Sequence, residues 1–69
     1  NNEGGKMRIN TTRFVDIYYS EDERLKAQER IKAYEEKGYE IESPESDSGD
    51  DDFPFCVGLI KTILRLDNA

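Results

Sequence analysis

The sequence predicts a small α+β domain of the βαββ type, with one helix packed on a three-stranded sheet. Residues 15–19 alternate apolar and polar side chains, which is typical of a strand. A capping residue opens the charged stretch 20–37, and the segment 38–41 combines a Gly stop with renewed alternation. We expect one domain over residues 7–69, near the size at which a single core just suffices, after a disordered polar lead-in at 1–6.

The first strand is predicted over Met7–Tyr19. Its alternate positions from Val15 to Tyr19 form an apolar face that should lie against the helix. The opposite face carries Phe14 and Tyr18, two aromatic side chains that leave a large apolar area exposed unless another surface covers it. We therefore expect either the chain itself or a partner to cover this face.

The helix is predicted over residues 21–37. Ser20 is a favourable N-cap, and Glu23 stands where it would complete a capping box. Gly38 suits the left-handed residue that ends a helix. The predicted apolar stripe consists of Leu25, Ala27, Ile31, Ala33 and Tyr34.

Two further strands are predicted after the helix. Residues 39–42 alternate apolar and acidic side chains, and residues 43–52 form an acidic segment that we expect to be a solvated hairpin loop. The apolar stretch 53–66 also fits the apolar stripe of a helix. Pro54 and the β-branched residues of this stretch favour a long strand instead, and we expect a bulge at Gly58. A helical crossover and a hairpin then give the strand order 1-3-2, with the first strand as a long exposed edge.

The charge and composition exclude several function classes. The chain carries a net charge of −6, with five acids and no base in residues 43–52, so most of it would repel nucleic-acid phosphates. It contains no His, which removes the usual catalytic base and the commonest zinc ligand, and we expect no enzyme activity, cofactor or metal. A lone Cys56 and the lack of a long apolar run predict a cytoplasmic protein that does not enter the membrane.

Other interpretations of individual residues compete with structural ones. Clustered carboxylates at 45–52 could bind calcium, but their spacing does not match an EF-hand loop, and solvation of a hairpin tip is the better explanation. Ser46 and Ser48 precede acids, as in acidic-directed phosphorylation signals. Cys56 has no activating His and is predicted to be a buried, inert thiol.

The N-terminal part of the chain also permits a nucleic-acid hypothesis. Phe14 and Tyr18 could form a base-stacking platform. Lys6, Arg8 and Arg13 could contact phosphates as a basic arm, similar to the arm of ribbon-helix-helix repressors. The second helix of that fold has no counterpart here, because an acidic segment follows Gly38.

The arrangement resembles small uncharacterised βαββ proteins encoded by bacteria, plasmids and phages. Four segments carry the resemblance: Phe14 to Tyr19, the helix from Glu21, Gly38-Tyr39-Glu40-Ile41, and Val57 to Leu66. The resemblance implies the fold and a source in a mobile element. It implies no activity and assigns no functional residue.

These observations predict a non-enzymatic protein-interaction module that works as a homodimer or docks on another protein. Phe14 and Tyr18 are the predicted apolar anchors, and Lys6, Arg8 and Arg13 the flanking charges. The alternative is a stoichiometric inhibitor that mimics nucleic-acid phosphates with its carboxylates and acts on a host nucleic-acid enzyme. A third hypothesis is a DNA-binding regulator that uses the basic N-terminal strand.

Overall fold

The computed structural model describes residues 6–68, with the side chains of residues 8–66. It contains, in chain order, strand β1 (Lys6–Tyr19), a 3₁₀ turn (Glu21–Glu23), helix α1 (Arg24–Glu36), strand β2 (Glu40–Asp47) and strand β3 (Phe55–Asn68). Of the lead-in predicted at 1–6, residues 1–5 lie outside the described residues and Lys6 belongs to β1.

The sheet has the order β1-β3-β2, as the sequence predicts. β1 and β3 pair antiparallel in one unbroken register, from Lys6 opposite Asn68 to Tyr19 opposite Phe55. β2 pairs antiparallel with the other side of β3. The α+β fold with long first and third strands is therefore confirmed, and β1 is an edge strand along its whole length.

The bulge predicted in the third strand at Gly58 lies instead in the neighbouring strand β2, where the extra residues stand on either side of Ser43, the residue that pairs with Gly58. The pairing of β2 with β3 shifts register between Ile41 and Ser43 and again between Ser43 and Ser46. Gly58 instead stands where β2 comes very close, because a Cβ atom added there would lie 3.2 Å from Cβ of Ser43. The helical alternative for residues 53–66 is also wrong, since β3 is continuous there.

The helix begins without the capping box that the sequence predicts. The backbone N–H of Glu23 donates to the carbonyl oxygen of Ser20 at 3.0 Å, which forms a 3₁₀ turn. The Ser20 side chain caps no backbone N–H and lies 3.4 Å from the Glu23 carboxylate. The start of the helix is instead stabilised by Arg24, which forms ion pairs with Glu21 and Glu45.

The helix ends at Glu36, and Gly38 follows it as the predicted left-handed stop residue. Gly38 has a φ of +100°, a conformation that favours Gly because it has no Cβ. The Lys61 ammonium donates to the carbonyl oxygen of Lys37 at 2.5 Å. A cation at this position satisfies a free carbonyl and complements the negative end of the helix.

The hydrophobic core is small. Among the described side chains, those buried are Ile17, Tyr19, Ala27, Val57 and Leu59. Val15, Ile31, Tyr34, Tyr39 and Phe55 pack against them while partly exposed. Leu25 is 75% exposed, so its predicted place in the apolar stripe is wrong, because the helix turns this position to solvent.

The sheet continues far beyond the helix as a two-stranded ribbon. β2 pairs with β3 only as far as Ile60, so residues 6–12 of β1 and 62–68 of β3 pair with each other alone. We call these two segments the distal ribbon. They contribute to a radius of gyration of 17.2 Å, against about 11 Å for a compact chain of this length. No described side chain of the distal ribbon is buried.

Candidate interaction surface

The two sheet faces differ in what covers them. Val15, Ile17 and Tyr19 pack towards α1, as predicted. The other side of the sheet, which we call the open face, carries the intervening residues of β1 and their partners on β3. On β1 and β3 the described open-face residues are Arg8, Asn10, Thr12, Phe14, Asp16, Tyr18, Cys56, Gly58, Ile60, Thr62, Leu64 and Leu66.

The two predicted anchors lie on the open face. Phe14 is 63% exposed and stands opposite Ile60, and Tyr18 is 53% exposed and stands opposite Cys56. Each aromatic side chain therefore has an apolar or sulfur-bearing neighbour across the strand. Asp16 separates them along β1 and interrupts the apolar surface with one carboxylate.

Apolar side chains of β3 extend this surface into the distal ribbon. Leu64 and Leu66 are 59% and 66% exposed, and both lie on the open face. Sequence reasoning missed them because the spacing of Ile60 and Leu64 also fits a helix. The alternation of Leu64 and Leu66 with Ile63 and Arg65 is the sequence pattern that would have predicted their position on the open face.

The predicted flanking charges do not share one face. Arg8 lies exposed on the open face. Arg13 lies on the sheet face that the helix covers, and it stands opposite Lys61 of β3. The backbone of Lys6 pairs with Asn68, but its side chain lies outside the described residues. The three bases therefore form no single basic patch beside the aromatic anchors.

Cys56 is partly exposed on the open face, so the prediction of a buried thiol is wrong. It differs from its neighbour Val57, which is buried, because successive side chains of a strand point to opposite faces. Electrostatic interaction with Cys56, and then with the carboxylate of Asp16, raises the pKa of the Tyr18 hydroxyl. Tyr18 is therefore affected by both of its neighbours on the open face.

A groove lies along the outer edge of β1, beneath the helix. It has a volume of about 320 Å³, and its lining includes Val15, Ile17, Ala27 and Arg30. No residue within β2 or β3 lines it, and the one lining residue from beyond the helix is Phe53 of the β2–β3 loop. The groove is therefore open on the side where a further strand would pair with β1.

A polar cluster connects the start of the helix to both edge strands. The Tyr19 hydroxyl donates to the Glu45 carboxylate. Arg24 donates from its Nη1 to the same carboxylate at 2.5 Å and from its Nε to Glu21 at 2.8 Å. The guanidinium group also lies 4.7 Å from the ring centroid of Phe55. Arg24 therefore links α1 to β2 across the central strand.

The pKa values of these groups follow from the hydrogen bonds. The bond from Tyr19, and then that from Arg24, lowers the pKa of Glu45. Burial, and then the bond to Glu45, raises the pKa of Tyr19 to about 12. Hydrogen bonds from Arg24 likewise lower the pKa of Glu21. The carboxylates are thereby held ionised and the phenol neutral near pH 7.

Glu45 was not identified from the sequence because it lies in the predicted acidic loop. β2 continues to Asp47, so the predicted loop at 43–52 is shorter than expected. Pro44 is tolerated there because an edge strand has free N–H positions. The two register shifts in β2 determine the position of Glu45, and these shifts could not be predicted from the sequence pattern.

The structure and the comparisons add no chemical assignment. Among the described side chains of residues 8–66, no three His, Cys, Asp or Glu are grouped so that they could hold a metal ion. No helix in this range is long and apolar enough to cross a membrane. Comparison with known proteins finds no matching family model, curated protein or solved structure. The resemblance to mobile-element βαββ proteins therefore stays a prediction.

Proposed function

We propose that this chain is a non-enzymatic protein-interaction module that works by associating with a second copy of itself. The observation that carries the proposal is the distal ribbon, in which two strands extend beyond the third strand without one described side chain being buried. Isolated two-stranded ribbons are at best marginally stable in water, so a partner surface would stabilise this one. The proposed apolar anchors of the module are Phe14 and Tyr18, which lie on β1 beside the distal ribbon, and the proposed flanking charges are Lys6, Arg8 and Arg13.

The small core gives the same expectation. Only five of the described side chains are buried, and domains of this size often gain stability by association. Phe14 and Tyr18, which lie on the edge strand β1, are each more than half exposed. Fully burying side chains of this kind contributes about 1.5–3 kcal/mol each. Association itself costs roughly 4–15 kcal/mol, which is comparable to or larger than this gain, so we expect a weak dimer with a dissociation constant in the micromolar range or above.

The phosphate-mimic hypothesis has less support. Glu21 and Glu45 are engaged by Arg24, and bases are interspersed with acids along α1. A mimic needs carboxylates that face a partner without intervening bases. We therefore keep self-association as the single proposal, together with the cytoplasmic location that the lone Cys56 suggests.

Light scattering after size exclusion, over a dilution series from about 100 to 1 μM, tests the proposal. We expect a mass near twice the 8.0 kDa of the chain at high concentration, falling on dilution. Phe14→Ala combined with Tyr18→Ala should shift this transition to higher concentration. Leu25→Ala is the matched control, because Leu25 is an equally exposed apolar residue on the helix. A mass of 8.0 kDa at every concentration would contradict self-association.

A further inference from the structure

We infer that two copies join through the outer edges of β1, antiparallel and centred on Thr12, to form a continuous six-stranded sheet. The inference rests on the proposed self-association and specifies its geometry. In the resulting order, β2-β3-β1 of one copy continues into β1-β3-β2 of the other. Such pairing adds backbone hydrogen bonds along the full span of residues 6–18.

β1 is the edge of this sheet that can accept another strand. It runs for fourteen residues in unbroken register with β3, so its other side presents a regular row of backbone groups. The opposite edge, β2, has two register shifts and contains Pro44. Irregular strands and Pro discourage edge pairing, whereas a long regular strand favours it.

The two-fold symmetry of a dimer restricts the possible registers. Antiparallel pairing of identical edges places the axis perpendicular to the sheet, so both helices lie on the same side. Residues that stand opposite each other then belong to the same face. Each register is consequently centred on one residue, which pairs with its own copy, and the side chains can be compared register by register.

The register centred on Thr12 matches the side chains best. It places Arg8 opposite Asp16 of the second copy, and by symmetry Asp16 opposite Arg8, on the open face. Side chains of opposite charge that stand directly opposite each other on two paired strands stabilise the pairing. Among the described residues, neither side chain forms an ion pair within its own chain. The dimer would therefore contain two new ion pairs.

The same register also pairs apolar residues on the helix side. Ile9 stands opposite Val15 of the second copy, which lines the groove at the outer edge of β1. Ile9 is partly buried within its own chain and would become further covered. Ile9 of the partner's distal ribbon would thus cover the Val15 end of the groove, and the ribbon in turn gains a neighbouring strand.

Neighbouring registers are worse for identifiable reasons. Centring on Arg13 places two Arg13 side chains directly opposite each other, and like charges in that position are destabilising. Centring on Thr11 places Arg13 opposite the apolar Ile9. Centring on Phe14 places Arg13 opposite Val15. Only the Thr12 register leaves Arg13 opposite a small polar residue, Thr11.

Charge reversal tests the proposed register directly. Arg8→Asp places an acid opposite Asp16 at two symmetric positions, and Asp16→Arg places two bases opposite Arg8. Each change should raise the dissociation constant about tenfold or more, while the double variant should return to within about threefold of the parent. Lys32→Glu is the matched control. It changes the net charge as Arg8→Asp does, but Lys32 is exposed on α1 and does not line the groove beside β1, so it should not weaken association.

Amide hydrogen exchange of the parent protein provides a second measurement that does not depend on any variant. Edge pairing predicts that the outward amides of residues 6–18 become protected as concentration rises. The inference is overturned if the double variant is no tighter than the single ones, if Lys32→Glu weakens association as much as Arg8→Asp, or if β1 protection does not depend on concentration. Association that persists in these cases would leave the proposed function intact, whereas a monomeric parent would overturn both.

Discussion

Tyr19 of β1 donates a hydrogen bond to Glu45 of β2 across the central strand that separates them. The centroid of the Tyr19 ring lies 5.6 Å from that of Phe55, the β3 residue that pairs with Tyr19. The bond therefore fastens the two outer strands to each other at the end of the sheet where the helix begins. Arg24 adds a second bond to the same carboxylate, so Glu45 joins three elements of the fold.

Stability should decrease in acid because of Glu45. Its pKa is lower in the folded chain than its ordinary value, through the bonds from Tyr19 and Arg24. The contribution is present above the unfolded pKa and is lost as pH falls through the lower, folded pKa. Urea unfolding at fixed protein concentration between pH 7 and 3 would measure it. In Glu45→Gln the dependence should become shallower, and an unchanged slope would contradict the assignment.

Stability should also decrease in alkali because of Tyr19. Its pKa is raised from 10.0 to about 12, first by burial and then by Glu45. The stabilising contribution is present below pH 10 and is lost as pH rises through about 12. Phenolate absorbance during a pH titration would follow it. A Tyr19 phenol that ionises at its ordinary pKa would contradict the buried, hydrogen-bonded geometry.

Glu45→Gln should lower the melting temperature more than Glu42→Gln does. Both changes remove one acid from β2, but only Glu45 accepts bonds from Tyr19 and Arg24. The loss should amount to a few degrees, because the pair with Arg24 is partly exposed to solvent. Thermal melting followed by circular dichroism makes the comparison. Equal melting temperatures for the two variants would show that the cluster contributes no stability.

The tip of the β2–β3 hairpin should tolerate shortening, provided that Glu45 is kept. The backbone N–H of Ser48 donates to the carbonyl oxygen of Pro54 at 2.9 Å and closes the loop below residues 49–52. Closing a shorter loop costs slightly less chain entropy. Replacing residues 49–52 by Asn-Gly should therefore leave the melting temperature within about 2 °C of the parent.

A replacement that extends from Glu45 to Asp52 is the control for that experiment. It removes the same loop tip together with the Glu45 carboxylate, and it should melt several degrees lower. Equal stability of the two shortened forms would contradict the role of Glu45. Loss of folding in the shorter replacement would show that the acidic tip is itself a structural element.

The main elements of this fold could be predicted from short-range patterns. Alternation fixed the faces of β1 up to Tyr19, and Gly38 marked the end of the helix because its φ is positive. The strand order followed from the helical crossover and the hairpin. Each of these features depends on neighbouring residues or on chain connectivity, which a single sequence contains.

The remaining features depend on contacts between distant residues. Glu45 lies 26 residues from Tyr19, and its position is set by the irregular pairing of β2. Lys61, which caps the helix, lies 24 residues from Lys37. The interaction surface was predicted only in part, because Phe14 and Tyr18 alternate visibly along β1 whereas Leu64 fits both a strand and a helix.

Disulfide trapping at Thr12 tests the edge-to-edge dimer most directly. In a Cys56→Ser background, Thr12→Cys places two thiols on directly opposed residues, with Cα atoms about 4.5–5.5 Å apart, which is within disulfide range. Asn10→Cys lies on the same face, but its two copies would be more than about 13 Å apart. Under mild oxidation, we expect Thr12→Cys to form a covalent dimer rapidly and Asn10→Cys to remain a monomer on a non-reducing gel. Equal cross-linking of both variants, or cross-linking of Asn10→Cys alone, would contradict the proposed register.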